Sequence, residues 1–293
     1  DYSNELQTET VFPVPTNLIA TIIDYQSVQL TWDVNCTFET GYTVERKEES
    51  STFTEIADLS ADTETYMEQG LTFGTDYTYR IQAYTNSNLS DYSEEVLTNI
   101  NVAIDRDGNV YKVVKIGDQY WMAENLKVTH YRNGDAIPKV TDNNTWNYLT
   151  TGAYCIYDND DSNADTYGSF YNWYAVNDSR GLAPAGWHIP TDAECQTLVD
   201  YCGGNSVAGG KLKSISGWYE SGNGTNDYGL SVLPGGSRNP NGNYANLGTN
   251  AQLWSATEYG SSLAWYWALY LNSEIRRFSV SILHGFSVRC VKD

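Results

Sequence analysis

A chain of 293 residues is long enough for two domains with separate cores, and 41% hydrophobic with 14% aromatic residues excludes a disordered one. A formal net charge of −20 excludes a nucleic-acid binder, which needs a basic face that releases counterions, and disfavours docking on an anionic membrane. The charge is uneven: residues 1–100 carry 18 Asp and Glu against 3 Lys and Arg, net −15, and the remaining 19 against 14 leave −5. Acidity concentrated in the first part keeps an exposed module soluble. Many Tyr (24) and Trp (9) against few Met (2) fit a β-rich, secreted type of protein with aromatic surfaces. No apolar run is long enough for a transmembrane helix. The chain opens at Asp1, as a processed chain does, so export is inferred and a lipid anchor on the removed N-terminus is expected.

Residues 1–12 read as a linker. From 13 to 100 follow seven short strands: NLIATIID, SVQLTWDV, GYTVERKEE, FTEIADL, TETYMEQ, TDYTYRIQAYT and YSEEVLTN, separated by turn residues. Val28, Leu30 and Trp32 alternate with polar residues, as do Tyr77, Tyr79, Ile81 and Ala83, which half-buried strands require. Seven strands in under 100 residues predict an immunoglobulin-like β-sandwich. Pro15 before the first strand, Trp32 on the second and the run Leu71 to Tyr77 resemble a fibronectin type III domain with its tyrosine corner, where the ring of Tyr77 packs under a loop and its hydroxyl caps a backbone group. No RGD triplet is present, so the expected role is that of a spacer.

The second domain, 101–293, opens on the turn Asp105-Arg106-Asp107-Gly108-Asn109 and the predicted strands Val110–Ile116 and Gln119–Ala123. Glu124 and Asn125 read as hairpin-stabilising residues. One substantial helix is legible, from Thr191 to Cys202: Thr191 caps it, Glu194 completes a capping box and Gly203-Gly204 end it. Leu198, Val199, Tyr201 and Cys202 are expected on its buried side. A second short helix is predicted over Ser169–Val176. The rest is loops and brief strands, giving an α+β, loop-rich domain.

Five cysteines (36, 155, 195, 202 and 290) fit no zinc pattern. Cys195 and Cys202 stand about 10 Å apart by helical rise, too far to bridge each other. Either the thiols are buried and unpaired, or one long-range bridge forms, best between Cys155 and Cys290. The loop from Asp158 to Asp165 offers oxygen ligands from Asp158, Asp160, Asp161, Asn163 and Asp165, the hard donors that a structural calcium takes, although no Gly at the sixth or Glu at the twelfth position completes an EF-hand. The alternative is a solvated loop capped by Asx turns. His188 has no Ser or Cys in a nucleophile setting near it in sequence and reads as a core residue with both nitrogens satisfied. Nucleophile elbow, phosphate loop and metalloprotease helix are all missing, so no catalytic residue is assigned.

Four blocks in order, WMAENL, YGSFYNWYAV, GWHIPTDAE and GFSVRCVKD, with LPGGSRN and LWSATEY between them, resemble the Fibrobacter succinogenes major paralogous domain, a module of bacterial surface proteins. The resemblance covers about 190 residues and implies a C-type-lectin-like fold, the fold also of the formylglycine-generating enzyme. That enzyme works through juxtaposed reactive cysteines, which this chain does not place together in sequence. Where family members commonly carry Leu-Cys-Pro, this chain has Leu182-Ala183-Pro184, and Cys195 stands where a Trp is usual, so the family's usual disulfide is not expected. The resemblance further implies an envelope-anchored lipoprotein of a Bacteroidetes-like bacterium. It also places ligands at the late strands.

The residues from Tyr244 to His284 are of the types that dominate recognition surfaces: Tyr244, Asn246, Trp254, Glu258, Tyr259, Trp265, Trp267, Tyr270, Asn272, Arg276, Arg277, Phe278 and His284. Alternation puts Trp265, Trp267, Leu269 and Leu271 on one face and Tyr266, Ala268 and Tyr270 on the other, with Tyr outward the cheaper arrangement. The sugar-binding triplets EPN, QPD and WND of calcium-dependent lectins are absent. The expected function is non-catalytic: adhesion or binding of a glycan or surface protein at this face, on an extracellular or outer-membrane-anchored chain. Its rivals are a structural subunit of a surface assembly or pilus tip and, third, an enzyme.

Overall fold

A computed structural model describes residues 12–49 and 51–293. All but the last residue of the linker read over 1–12 therefore lies outside the described residues. The chain divides after Asn101 into two compact units.

The first unit is built from strands β1 (Thr16–Asp24), β2 (Ser27–Asp33), β3 (Gly41–Glu48), β4 (Thr54–Ser60), β5 (Thr65–Glu68), β6 (Asp76–Tyr84), β7 (Leu89–Tyr92) and β8 (Val96–Asn99). One sheet runs β1-β2-β5. The other runs β4-β3-β6, with β7 and β8 pairing successive halves of β6. The seventh strand expected from the sequence is thus split. Where its ladder breaks, the hydroxyls of Ser90 and Ser93 accept the N–H groups of Ala83 and Ile81, each at 3.0 Å, so neither of those two donors is orphaned. The alternation is realised as core: Val28, Leu30 and Trp32 are buried with Tyr42, Val44, Tyr79 and Ile81. The hydroxyl of Tyr77 accepts the N–H of Thr72 at 2.8 Å, closing the expected corner. All three cations of residues 1–100 are paired, Arg46 with Glu48 and Glu68, Lys47 with Glu95, and Arg80 with Glu45.

The second unit contains β9 (Val102–Ile104), β10 (Val110–Ile116), β11 (Gln119–Met122), α1 (Asn143–Asn147), β12 (Tyr154–Cys155), α2 (Asn163–Tyr167), β13 (Phe170–Tyr171), α3 (Trp173–Val176), β14 (Trp187–His188), α4 (Asp192–Tyr201), α5 (Ala208–Leu212), β15 (Ser237–Arg238), β16 (Tyr244–Ala245), β17 (Ala251–Glu258), β18 (Leu263–Leu269), β19 (Ile275–Ser281) and β20 (Val291–Lys292). The sheet β14-β20-β11-β10-β9 ties the start of the unit to its end, with Trp121 opposite Val291. A second sheet is β17-β18-β19. Thr191 and Glu194 form the capping box of α4 in both directions. Cys195, Leu198 and Val199 face the core, as does Cys202 just past the helix; Tyr201 instead is exposed. The helix expected over Ser169–Val176 is shorter. Residues 170–171 pair with β12, and the Asn172 side chain accepts the N–H of Ala153 (3.0 Å) and of Ala175 (3.1 Å), which fixes the start of α3.

With few ladders, the loops of this unit leave many carbonyls that backbone cannot satisfy. Buried side-chain donors take them. Arg238, fully buried, gives Nε to Gly242 O (2.8 Å), Nη1 to Val140 O (2.5 Å) and Nη2 to Thr141 O (2.9 Å) and Asn143 Oδ1 (3.0 Å). Lys213 gives Nζ to Tyr270 O, Leu271 O and Asn272 O at 2.8 to 3.1 Å, and burial pulls its ammonium below the ordinary value. Indole N–H groups do the same: Trp146 to Leu283 O, Trp173 to Ser255 O, Trp218 to Val232 O and Trp254 to Tyr171 O. Each such bond removes the cost of a buried unpaired carbonyl.

Candidate functional site

The late-strand residues sort into frame and surface through the register of β18 with β19, which sets Trp267 opposite Arg277, Tyr266 opposite Phe278 and Ala268 opposite Arg276. The Trp267 face packs on α4. Trp267 is 2% exposed, lies in a core with Leu198, Val199, Leu269 and Ile275, and donates its indole N–H to Asp192 Oδ1 at 3.2 Å. Arg277 reaches the same Asp192 with Nε (2.7 Å) and Nη2 (2.7 Å), and its guanidinium lies 3.5 Å from the Trp265 ring. Trp267 and the Asp192 contacts dock the N-terminus of α4 on the sheet, so Trp267 is frame, while Arg277 is exposed with its guanidinium committed to Asp192 and Trp265.

Trp254 is a further correction. It shares the face of Tyr266, yet it is 1% exposed, because Phe286 packs over it at 4.6 Å and its indole is spent on Tyr171. Tyr244 donates its hydroxyl to Asn159 Oδ1 (2.7 Å) and packs on Tyr157 and Arg238, so it pins a loop. Asn246, in a left-handed turn conformation (φ 65°), Glu258 and Asn272 are exposed. Tyr259 is exposed and sits edge-on to Trp265 at 4.6 Å. His284 is half-buried against Phe286 and its Nδ1 meets Ser281 O at 3.1 Å; burial pulls its imidazole below the ordinary value.

What the sheet presents outward is a strip. Tyr266 and Phe278 stack at 5.8 Å, Tyr266 rests on Phe286 at 4.7 Å, and the Arg276 guanidinium lies 5.8 Å from the Tyr270 ring. Arg276 is exposed and held by Glu274, and Phe278 is 38% exposed. Tyr266 was not among the predicted site residues, although its strict alternation with Ala268 and Tyr270 places it there. The result is a row of aromatics with one guanidinium, on a sheet whose other face is fixed by the helix.

The acidic loop does not gather its carboxylates. Asp160 is turned onto Ser162, accepting from its N–H (3.0 Å) and hydroxyl (2.8 Å), which hold the carboxyl below its usual range. Asp161 pairs with Lys139, and Asp165 with Lys127 at 2.8 Å. Asn163 donates to Tyr157 O, and Asp158 adopts φ 52°. Among the described residues no group of three His, Cys, Asp or Glu converges. The Asp160–Ser162 contact is an Asx turn of the expected kind.

All five cysteines are free and buried, so the Cys155–Cys290 bridge is not formed. Burial pushes the Cys155 and Cys202 thiols up to about 11, and those of Cys195 and Cys290 further. His188 has both nitrogens satisfied, Nδ1 by Asp293 (2.7 Å) and Nε2 by Glu194 (2.9 Å), but at a half-exposed position and not in the core.

The first unit is a fibronectin-III-type β-sandwich and the second a β-rich unit with few, short helices. The fibronectin type III family matches residues 13–99, and the Fibrobacter succinogenes major domain family matches residues 114–292. The chain belongs to the Fibrobacter succinogenes major domain family and carries a fibronectin type III domain before it. Similar solved structures include a myokine (22% identity, 29% of this chain, 94% of that one, TM-score 0.27). Others are the chicken CNTN1 FN1–FN3 domains (14% identity, 29% of this chain, 30% of that one, TM-score 0.28) and an Fn3-like protein from Clostridium thermocellum (27% identity, 28% and 86%, TM-score 0.26). This chain thus spans under a third of the chicken fragment. No curated protein matches the chain. The two domains together point to a surface or extracellular protein, and among the described residues no helix is long and apolar enough to cross a membrane.

Proposed function

We propose that the protein is a non-catalytic, envelope-anchored surface protein whose second unit, with a C-type-lectin-like fold, binds a glycan through the outer strip of β18 and β19, while the sandwich acts as spacer. The observation that carries this is the strip itself. Tyr266, Tyr270 and Phe278 offer aromatic faces for sugar rings, and Arg276 adds a planar donor. Binding is calcium-independent in this reading, since the acidic loop spends three of its four carboxylates, Asp160, Asp165 and Asp161, on Ser162, Lys127 and Lys139. The thiols support a non-catalytic role: burial pushes four of them up, away from the thiolate that a cysteine-based enzyme needs.

A glycan array of the whole chain, run with and without EDTA, tests this. Specific glycans bound equally in both conditions are expected. No glycan bound, with a neighbouring surface protein recovered instead, would move the assignment to a structural subunit of a surface assembly. Exposed Phe278 beside Arg276 would suit such a protein contact as well.

A further inference from the structure

Asn125 and Arg289, 164 residues apart in the WMAENL and GFSVRC stretches, meet in one hydrogen bond. They do so at a cavity of about 510 Å³ that Ser214, Ile215, Ser216, Asn226, Gly229 and Ser231 also line. An adjoining recess of about 150 Å³ shares Glu124, Asn125 and Thr166. The size suits a small-molecule site. The cavity shares no residue with the outer strip of β18 and β19.

Its charges are arranged unusually. Arg289 is 3% exposed; Nε donates to Asn125 Oδ1 (2.8 Å), Nη1 to Leu230 O and Nη2 to Ser231 O (3.3 Å). Those bonds use three of the five N–H groups of a guanidinium, and every acceptor is neutral. Burial pulls Arg289 down to about 10, and Glu124 relieves that only from a distance. Glu124, half-exposed, lines the same cavity, as does the exposed Lys112; Glu124 Oε2 accepts the backbone N–H of Lys112 (2.7 Å), and no ion pair joins Glu124 to Arg289. A positive floor and a negative wall therefore face one space without pairing. The mouth is apolar on one side, where Ile215, 68% exposed, stands with Leu233. Pinning of the 230–231 carbonyls accounts for Arg289, but not for a carboxylate on the same cavity that is held by a backbone N–H and joined to no cation, or for an isoleucine held in solvent.

We propose that this cavity binds a free amino acid or short peptide by both ionic ends. Its carboxylate sits on Arg289 and its ammonium on Glu124, with an apolar side chain against Ile215 and Leu233. Each contact adds a charged partner where the fold supplies hydrogen bonds only to neutral groups, so a molecule with both charges gains over one with either alone.

Calorimetric titration of the whole chain at low salt tests this with L-leucine and L-leucyl-L-leucine, against L-leucinamide, which lacks the carboxylate, and N-acetyl-L-leucine, which lacks the ammonium. At least one zwitterion is expected to bind about tenfold or more tightly than either blocked form. Glu124→Gln should weaken the zwitterion by about tenfold and leave N-acetyl-L-leucine unchanged. Ser216→Trp, an exposed position at the mouth, should abolish binding without changing the melting temperature. Neither zwitterion binding up to about 10 mM, all forms binding alike, or Ser216→Trp binding as well as the parent would overturn the assignment.

Discussion

The two units solve one problem, satisfying the backbone, by opposite means. In the sandwich, strands such as β3 and β6 pair over their whole length, from Gly41 with Tyr84 to Glu48 with Tyr77, and the core is left to apolar alternation. Its cations lie in ion pairs with carboxylates. In the second unit Arg238, Arg289 and Lys213 are buried, and they spend their charge chiefly on loop carbonyls. A ladder divides its stability among many similar bonds, whereas a pinned loop concentrates it in one side chain. Substitutions of single cations should therefore be tolerated in the first unit and damaging in the second.

The largest effect is expected for Arg238→Met, which leaves the carbonyls of Val140, Thr141 and Gly242 without their donor. A loss of about 3 kcal/mol or more should appear in denaturant unfolding. Tryptophan fluorescence reports it cleanly, since Trp32 alone of the 9 tryptophans precedes residue 101. Lys47→Met, which removes the partly exposed pair with Glu95, should cost no more than about 1 kcal/mol. Equal costs for the two would break the contrast.

Of comparable size, Trp267→Ala should destabilise by about 3–5 kcal/mol through the cavity it opens under α4, whereas Tyr270→Ala on the outer strip should cost under about 1 kcal/mol. Smaller still is a pH effect. Burial pulls the His188 imidazole down, but the Asp293 and Glu194 carboxylates override this and hold it above its ordinary value. A group raised on folding stabilises the folded state below its unfolded pKa of about 6.5 and loses that contribution as pH rises through the folded value. Between about pH 6 and 8 stability should therefore fall by no more than about 1 kcal/mol, screened at this half-exposed site, and His188→Gln should remove that fall. No effect at all is expected from a thiol reagent on the native chain: Ellman's reagent should label none of the five cysteines until denaturant is added, and then all five.

Periodic features were legible in the sequence. Val28, Leu30 and Trp32, the Tyr77 corner and the Thr191 capping box each follow from spacing that a short window contains, and each is found as expected. The late strands were half legible. Alternation put Trp265 and Trp267 on one face of β18, but burial of Trp254 on the opposite face depends on Phe286, more than thirty residues away. Arg277 looked like a ligand contact because its partner, Asp192, is joined to it only by the fold. The pinning roles of Arg238, Lys213 and Arg289 were not legible, since a single cation has no period and its acceptors are carbonyls that any residue supplies. The acidic loop was legible only as composition: density of carboxylates along the chain says nothing of where Asp161 and Asp165 turn.

The central claim is that the strip of Tyr270, Arg276 and Phe278 serves recognition and the layer beneath it serves the fold. The direct test is the triple variant Tyr270→Ala, Arg276→Ala, Phe278→Ser, melted and assayed on the same glycan array as the parent. An unchanged tryptophan-fluorescence melt with all glycan binding lost is the predicted result. Full binding retained by a variant that melts like the parent would contradict it.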